Sequence, residues 1–243
     1  MEFKILSFIN DLIFSIKKKK ENNINNKEKT TEKVNIQEIV NKEVSEEYIP
    51  KTKEAILFNT GGIRPTRELG ESWIGACNWY DKEEIPVDNN NEPMEPLVSI
   101  FLKDLKGVPK VLKGIEYIVV FVPKGVFIYN NNFNIVVKTF KDISNLERVN
   151  YKSSLIKSFP LIVSKTDNEV SARDWADDYG ECYGGHKIGG YPLYIQDDPE
   201  FDDEFVMQIS SDEKAGLNIV DGGRIYFYYN KEKDNWTFYY DFY

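Results

Sequence analysis

Histidine and cysteine are almost missing from this chain of 243 residues. His186 is the one histidine, and Cys77 and Cys182 are the two cysteines. Two cysteines cannot build a disulfide framework, and they suit a reducing compartment such as the cytoplasm. A single histidine excludes metal sites built from several histidines, and no Cys/His cluster has the spacing of a zinc site. We therefore predict no metal and no cofactor.

Sequence motifs that carry catalysis are missing as well. The chain has no phosphate-binding glycine loop with its lysine, no G-x-S-x-G motif and no dinucleotide-binding fingerprint. Cys182 and His186 are four residues apart, a spacing that would bring a thiolate and an imidazole together on a helix. Gly184 and Gly185 lie between them and disfavour that helix. We therefore predict no catalytic residue.

Positive charge is scarce beyond the N-terminal segment. The formal net charge is -9. Residues 1–53 hold 11 Lys+Arg against 9 Asp+Glu, and the remainder holds 20 against 31, a net charge of -11. A body of this charge repels the phosphate backbone, so the composition excludes nucleic acid as a partner and favours a basic protein.

The N-terminal segment differs in composition from the rest of the chain. Residues 1–16 carry apolar side chains at helical spacing and predict an amphipathic helix, which is too short to span a bilayer. This helix would pack on protein, or it would lie on anionic lipid through the lysines of residues 17–20. Residues 17–33 are rich in Lys, Asn and Glu and predict a flexible linker. Neither a signal peptide nor its cleavage site is evident.

Residues 34–243 have the composition of a globular, β-rich body. Hydrophobic residues make up 41% of the chain and aromatic residues 14%, and aromatic enrichment favours strands. Turn signals occur at Gly189, Gly190 and Pro192 and again at Gly222 and Gly223, each ahead of a strand-like run. The predicted strands are residues 115–122, 133–140, 159–164, 205–209 and 224–229, with a hairpin tip at 130–132 and a short helix at 171–179.

Two segments of the body also match each other in sequence. A shift of 108 positions aligns residues 95–121 with residues 203–229 without a gap and places Gly114 on Gly222. Upstream, residues 61–65 echo the Gly189–Pro192 turn more weakly. The fold class predicted is mainly β: two repeated antiparallel meander units, about 55–140 and 185–243, packed as one body.

Three segments carry a resemblance to a known family. They are Lys187-Ile188-Gly189-Gly190-Tyr191-Pro192, then Met207-Gln208-Ile209, then Asp221-Gly222-Gly223-Arg224-Ile225-Tyr226-Phe227. Together they resemble the YwqG-like family of uncharacterised bacterial proteins over residues 55–243, with departures in the first half. The resemblance implies a mostly β fold with an internal duplication. It implies no established activity, although family members often sit in toxin and immunity gene neighbourhoods.

Acidic residues concentrate in residues 170–204, where ten carboxylates face only Arg173 and Lys187, a net charge of -8. The segment can be a solvated loop, a calcium site without the EF-hand order, or an acidic face that docks a basic protein. Under the docking interpretation the partner-binding residues are Asp174, Asp177, Asp178, Glu181, Asp197, Asp198, Glu200, Asp202, Asp203 and Glu204.

Three functions follow as hypotheses. The leading one is a cytoplasmic, non-catalytic immunity-type protein that neutralises a basic toxin domain through this acidic face. The second is a hydrolase of unknown substrate that uses carboxylates or His186 in a cleft between the repeats. The third is a membrane-tethered adaptor, peripheral at the inner face of the membrane, in which residues 1–20 contact the lipid surface.

Overall fold

The computed structural model describes residues 51–81, 85–124, 134–171, 182–196, 199 and 201–243. The chain divides into two units, and the second unit, Pro50–Tyr243, contains all of these residues. The predicted N-terminal helix, the linker, the hairpin tip at 130–132 and all of the helix at 171–179 beyond Ser171 lie outside them.

The described residues form β-strands with short connections. The strands are β1 (Thr52–Thr60), β2 (Ser72–Ile74), β3 (Ala76–Tyr80), β4 (Glu95–Phe101), β5 (Tyr117–Val122), β6 (Val136–Phe140), β7 (Glu147–Lys152), β8 (Phe159–Val170), β9 (His186–Gly189), β10 (Glu204–Ser210), β11 (Arg224–Asn230) and β12 (Asn235–Asp241). A 3-10 helix at Lys110–Leu112 lies between β4 and β5. In these ranges, no helix is long and apolar enough to cross a membrane.

Ten of the strands form one sheet, in the order β12-β11-β10-β9-β1-β8-β2-β4-β5-β6, and β3 pairs with β7 in a second sheet. The strand pairings are antiparallel. The prediction of a mainly β, antiparallel fold is therefore confirmed.

The two halves of the large sheet are joined at its centre by their first strands. β1 comes from the first half of the chain, but it lies between β8 and β9 of the second half. β8 in turn lies between β1 and β2. Outward from this central pair, one side runs β2, β4, β5, β6 and the other runs β9, β10, β11, β12. Each half therefore needs a strand of the other half to complete its pairing.

The sheet has a core face and an outer face. Because side chains alternate along a strand and paired residues share a face, the register assigns Ile56, Ile74, Ile118, Ile188 and Phe227 to the same face. All five belong to one buried apolar cluster. We call this the core face, and it runs across both halves.

The opposite, outer face is covered differently at its two ends. At the first end the β3–β7 sheet packs over β5, in a cluster that contains Tyr80, Tyr117 and Phe121. At the second end Tyr226 and Tyr228 of β11 pack against Tyr194 and Phe201. The chain that packs over this second end also makes many polar contacts with the sheet, and these contacts form the candidate site.

The ungapped 108-residue self-match aligns strands but not their faces. Val119 pairs with Ser99, and 108 positions later Phe227 pairs with Met207. Val119 belongs to the outer-face cluster, whereas Phe227 belongs to the core-face cluster. The sequence match therefore aligns residues that lie on opposite faces of the sheet.

The echo at residues 61–65 is displaced as well. Gly61 and Gly62 follow β1, whereas Gly189 and Gly190 stand at the end of β9. β9 lies next to β10 in the sheet as β2 lies next to β4, so the matching place in the first half is the end of β2. Gly75 occupies that place, with a φ of 67°.

We expect the sheet to unfold as one unit, because β1 and β8 each pair with the other half. Ile118→Ala and Phe227→Ala, at opposite ends of the core face, should each remove about 2–5 kcal/mol from the same urea-unfolding transition. Val87→Ala, at a side chain 48% exposed, should change the stability by less than about 0.5 kcal/mol. Tryptophan fluorescence and circular dichroism should report coincident midpoints. Two resolved transitions would show that the halves unfold separately.

Candidate functional site

A row of buried polar side chains crosses the outer face of the second half. Lys187 of β9 lies directly opposite Gln208 of β10, and Gln208 lies opposite Tyr226 of β11. All three are at most 1% exposed. Buried polar groups in a sheet need hydrogen-bond partners, and these partners come from the chain that covers this face.

The strongest of these contacts is a buried ion pair that reaches across a strand. The Lys187 Nζ donates to both carboxylate oxygens of Glu169, at 2.9 and 2.8 Å, and the two side chains are 0% and 1% exposed. Lys187 is on β9 and Glu169 is on β8, with β1 between them. Burial lowers the pKa of Lys187, although the Glu169 carboxylate acts in the opposite sense.

The Glu169 carboxylate also holds the turn that follows β9 through hydrogen bonds. Glu169 Oε1 accepts a hydrogen bond from the Tyr183 N–H at 2.8 Å, and Oε2 accepts one from the Tyr191 N–H at 2.9 Å. A Cβ added to Gly190 would lie 2.2 Å from Glu169 Oε2 and 2.8 Å from the Ala55 Cβ. Only glycine at position 190 leaves room for the carboxylate.

The predicted turn glycines have backbone geometry that side chains rarely adopt. The φ angles are 74° at Gly189, 69° at Gly190 and 80° at Gly222. A Cβ on Gly223 would lie 2.1 Å from the Asp241 carbonyl oxygen. Pro192 is half-buried just beyond the first turn. At Gly190 the chain leaves the plane of the sheet.

Side chains of β11 and β12 hold the rest of the covering segment. Arg224 donates from Nε to the Gly184 carbonyl at 2.9 Å and from Nη1 to the Leu193 carbonyl at 3.0 Å. The Asp241 carboxylate accepts the Ile195 N–H at 2.6 Å. Residues 183–195 are therefore fixed to the sheet by charged groups.

His186 lies on the core face, and both of its ring nitrogens are engaged. Nδ1 accepts the Ser210 N–H at 3.2 Å, so the ring proton lies on Nε2, which is 3.1 Å from Asp212 Oδ2. Asp212 also accepts hydrogen bonds from the Thr60 hydroxyl and the Ala215 N–H. Burial would raise the pKa of Asp212, but these hydrogen bonds outweigh burial and lower it below the ordinary value.

Cys182 and His186 lie on opposite sides of the sheet. The Cys182 thiol donates to the Val170 carbonyl at 2.8 Å and is close enough to Lys187 to affect its pKa. Because Lys187 and His186 are consecutive in β9, their side chains point to opposite faces. The arrangement therefore does not provide a thiolate–imidazole pair.

Three of the ten predicted partner-binding acids lie in the described residues. Asp202 and Glu204 are exposed. Asp203 is half-buried and accepts hydrogen bonds from the Asn230 amide and the Thr237 hydroxyl, both at 2.8 Å. The hydrogen bond from Asn230, and then that from Thr237, lower the pKa of Asp203. The seven others, Asp174, Asp177, Asp178, Glu181, Asp197, Asp198 and Glu200, lie outside the described residues.

The described residues at the ends of both acidic stretches contact the second half of the sheet. The first stretch follows β8 and ends at Cys182, whose thiol contacts Val170 at the end of that strand. The second begins after Ile195, which is held by Asp241, and ends at Asp203. Within the described ranges, no group of three or more His, Cys, Asp and Glu side chains is placed to hold a metal ion.

A cavity of about 490 Å³ lies beside the Gly189–Gly190 turn. Its lining comes from both halves of the chain: Thr52, Lys53, Glu54, Gly107, Val108, Pro109, Lys110, Gly189, Gly190, Glu204 and Phe205. Sequence reasoning named the glycines and Glu204 but missed Glu54, because β1 and β10 are distant in the sequence. It also missed Glu169, for which the only local signal is a lone carboxylate at the end of a strand.

The ion pair gives a test of how the turn is held. Lys187→Met should lower the free energy of unfolding by about 3–5 kcal/mol, because it leaves the Glu169 carboxylate buried without its counter-charge. The double variant Glu169→Gln/Lys187→Met buries no uncompensated charge and should lose less. Lys165→Met, in the exposed pair with Asp167, is the matched control and should leave stability unchanged. Urea unfolding measures the stability of all three variants. Equal losses of stability in Lys187→Met and Lys165→Met would contradict the expectation.

The chain was compared with known proteins. No curated protein matches it significantly. One family model, described as Domain of unknown function (DUF1963), matches residues 81–238. The matched range contains β4 to β11 and most of β12, and with them the polar row and the Gly189–Gly190 turn. Because this match covers more than half of the sequence, the chain belongs to the DUF1963 family of domains of unknown function.

Proposed function

We propose that the protein is a non-catalytic binding module that docks a basic protein partner through the acidic chain of residues 170–204. The observation that carries the proposal is that described residues flanking both acidic stretches are held to one face of the sheet. Charged anchors hold the ends of these stretches: Glu169 and Lys187 at the first, and Asp241 at the second. Because these flanking residues are held on one face, we expect the carboxylates between them to form a surface of one sign.

Electrostatics favours this use of the surface. A face of one charge attracts a partner of opposite charge from beyond contact distance, which raises the association rate and discriminates against acidic proteins. The buried ionisable groups nearby are already engaged in holding the fold, since Glu169 pairs with Lys187 and Asp212 accepts from His186. Among the described acids of the segment, Asp202 and Glu204 are exposed and therefore available to a partner.

The proposal also specifies the partner, the compartment and the ancestry of the chain. The partner is the toxin domain of an immunity pair, and the protein acts in the cytoplasm. The chain belongs to the YwqG-like group and descends from an internal duplication. The strand order supports the duplication, since β1, β9, β10, β11, β12 on one side correspond in position to β8, β2, β4, β5, β6 on the other.

Charge reversal tests the acidic surface. A variant with Asp197→Lys, Asp198→Lys and Asp202→Lys should bind the partner at least tenfold more weakly than wild type, because like charges then face each other. Asp203 is left unchanged, since it bonds Asn230 and Thr237. Affinity purification from the native cell identifies the partner, and calorimetry measures the affinity at low and high salt.

The control for charge alone is Glu68→Lys, Glu92→Lys and Glu213→Lys, at three exposed positions elsewhere on the body. It changes the net charge by the same amount and should bind within about twofold of wild type at physiological salt, where distant charges are screened. The proposal that the acidic chain of residues 170–204 binds the partner would be refuted if no protein partner were recovered. It would also be refuted if both triple variants weakened partner binding equally.

A hydrolase is the second candidate, and the cavity between the two halves favours it. The lining includes Glu54 from the first half and Glu204 from the second, and paired carboxylates can act as acid and base. His186 does not line this cavity, and both of its ring nitrogens have partners. The membrane-tethered adaptor stays a prediction, because residues 1–20 lie outside the described residues.

The hydrolase hypothesis makes its own prediction. Wild-type protein should cleave at least one member of a panel of chromogenic esters, glycosides and phosphate esters. Glu54→Gln and Glu204→Gln should each reduce kcat at least a hundredfold, in line with the usual contribution of general acid–base catalysis. His186→Ala should abolish activity only if the imidazole is the catalyst. If both glutamine variants were as active as the wild-type protein, the cavity would be excluded as the source of the activity.

A further inference from the structure

A second cavity, of about 380 Å³, lies in the loop that connects β4 and β5. Its volume falls within the range of about 300–1,000 Å³ that is usual for small-molecule sites. All of its lining residues lie between Leu102 and Glu116, and the Leu102 N–H closes this loop by donating to the Glu116 carbonyl at 2.8 Å. The cavity is therefore separate from the acidic chain of residues 170–204.

The floor of this cavity is apolar. Leu112 and Ile115 are buried members of the core-face cluster. Leu105 and Val108 pack against the same cluster but are only half-buried, so part of their apolar surface contacts water. A Cβ added to Gly114 would meet no atom within 4 Å, so the space beside it is open. A ligand that covered the apolar floor would be stabilised in proportion to the area it removed from water.

The charged side chains that line the cavity are mostly basic. Three lysines and one glutamate give the lining a net charge of +2, in a chain whose net charge is -9. Glu116 neutralises Lys103, whose Nζ is 3.2 Å from each carboxylate oxygen. Among the described residues, no carboxylate forms an ion pair with Lys110 or Lys113. The excess positive charge of the cavity therefore belongs to these two side chains.

The backbone of the loop brings Lys110 and Lys113 together. Lys110–Leu112 is a 3-10 helix, and the Lys113 N–H donates to the Lys110 carbonyl at 3.1 Å. Side chains three positions apart eclipse each other in a 3-10 helix, so the two lysines lie on the same side of this turn. Their ammonium groups repel each other, and an anion bound between them would offset that repulsion.

The apolar floor and the lysine pair together select the class of ligand. A small hydrophilic anion would leave the floor in contact with water, and an uncharged or cationic amphiphile would gain nothing from Lys110 and Lys113. An amphipathic anion satisfies both, because its chain or ring covers apolar surface while its head pairs with the ammonium groups. Lysine suits such a head as a compact charge on a flexible stem, which demands no fixed orientation of the anion.

We propose that the cavity between Leu102 and Glu116 binds a small amphipathic anion. The apolar chain or ring of the ligand lies against Leu105, Val108 and the core beneath them, and its anionic head lies between Lys110 and Lys113. The site requires no basic protein partner, so it stands or fails independently of the proposed function.

The probes are three ligands that share one straight alkyl chain: octanoate, octanol and octylammonium. Titration of the isotope-labelled protein, followed by two-dimensional NMR, measures each affinity and locates each site. At residues 102–116, octanoate should bind about fivefold more tightly than the other two, because only its head pairs with the lysines. Each methylene added between butanoate and octanoate should tighten binding about threefold. The proposal is wrong if octanoate does not saturate a site at residues 102–116, or if octanol binds there equally well.

The double variant Lys110→Gln/Lys113→Gln tests the anionic head. It should weaken octanoate about fivefold and bring its affinity down to that of octanol. Both lysines are exposed, so the fold should be retained, and circular dichroism checks this. The matched control is Lys231→Gln/Lys233→Gln, at two exposed positions between β11 and β12, which changes the net charge equally and should bind octanoate as wild type does. Equal octanoate affinities in the two double variants would refute the lysine pair as the anion site.

Leu105→Ser tests the apolar part of the site. It should weaken octanoate and octanol alike, by about fivefold, because it removes apolar contact and leaves the lysines in place. The preference for octanoate over octanol should therefore persist. Val87→Ser, at an apolar side chain 48% exposed elsewhere on the body, is the control and should bind both ligands as wild type does. If Leu105→Ser left both affinities unchanged, the ligand would not lie on the apolar floor and the proposal would be overturned.

Discussion

The second half of the outer face depends on one ion pair that is formed across a strand. Glu169 and Lys187 belong to strands that do not pair with each other, and their side chains meet over β1. The contact requires small residues beneath it, which explains Ala55 on β1 and Gly190 beside the carboxylate. A buried ion pair is costly to desolvate, and its value lies in specifying one arrangement when every lone pair and proton is satisfied. Here the two spare acceptor positions of Glu169 are filled by backbone N–H groups.

The path of the chain around β9 follows from the same contact. Glu169 binds the N–H groups of Tyr183 and Tyr191, so the chain must enter and leave β9 within a few residues. That limit makes β9 shorter than β1 and β10. It also directs the chain after Gly190 onto the outer face, where Arg224 and Asp241 hold it. The place where the second acidic stretch begins, after Ile195, is thus a geometric consequence of how this turn is held.

The sequence predicted the features that local patterns determine. Alternation and aromatic content placed β10 and β11 correctly, and glycine content placed the turns at Gly189 and Gly222, where φ is positive. The pairing of β1 with β8 and β9 was not predictable, because it joins segments separated by most of the body. Glu54 and Glu204 come to line one cavity only through that pairing. The self-match aligned strands of the two halves but placed Phe227 on Val119, whose side chain lies on the opposite face, because a match of residue types does not follow the alternation that decides which face is buried.

The ion pair also affects the charge that the protein presents. Residues 170–204 contain ten carboxylates, with Arg173 and Lys187 as their only basic residues. Lys187 is fully buried and its charge is balanced by Glu169, which lies outside that segment. The ammonium group therefore does not offset the carboxylates of the surface, and Arg173 alone remains to oppose them. Burying the lysine thus leaves the segment more negative than its composition indicates, and the proposed binding of a basic partner depends on that excess of negative charge.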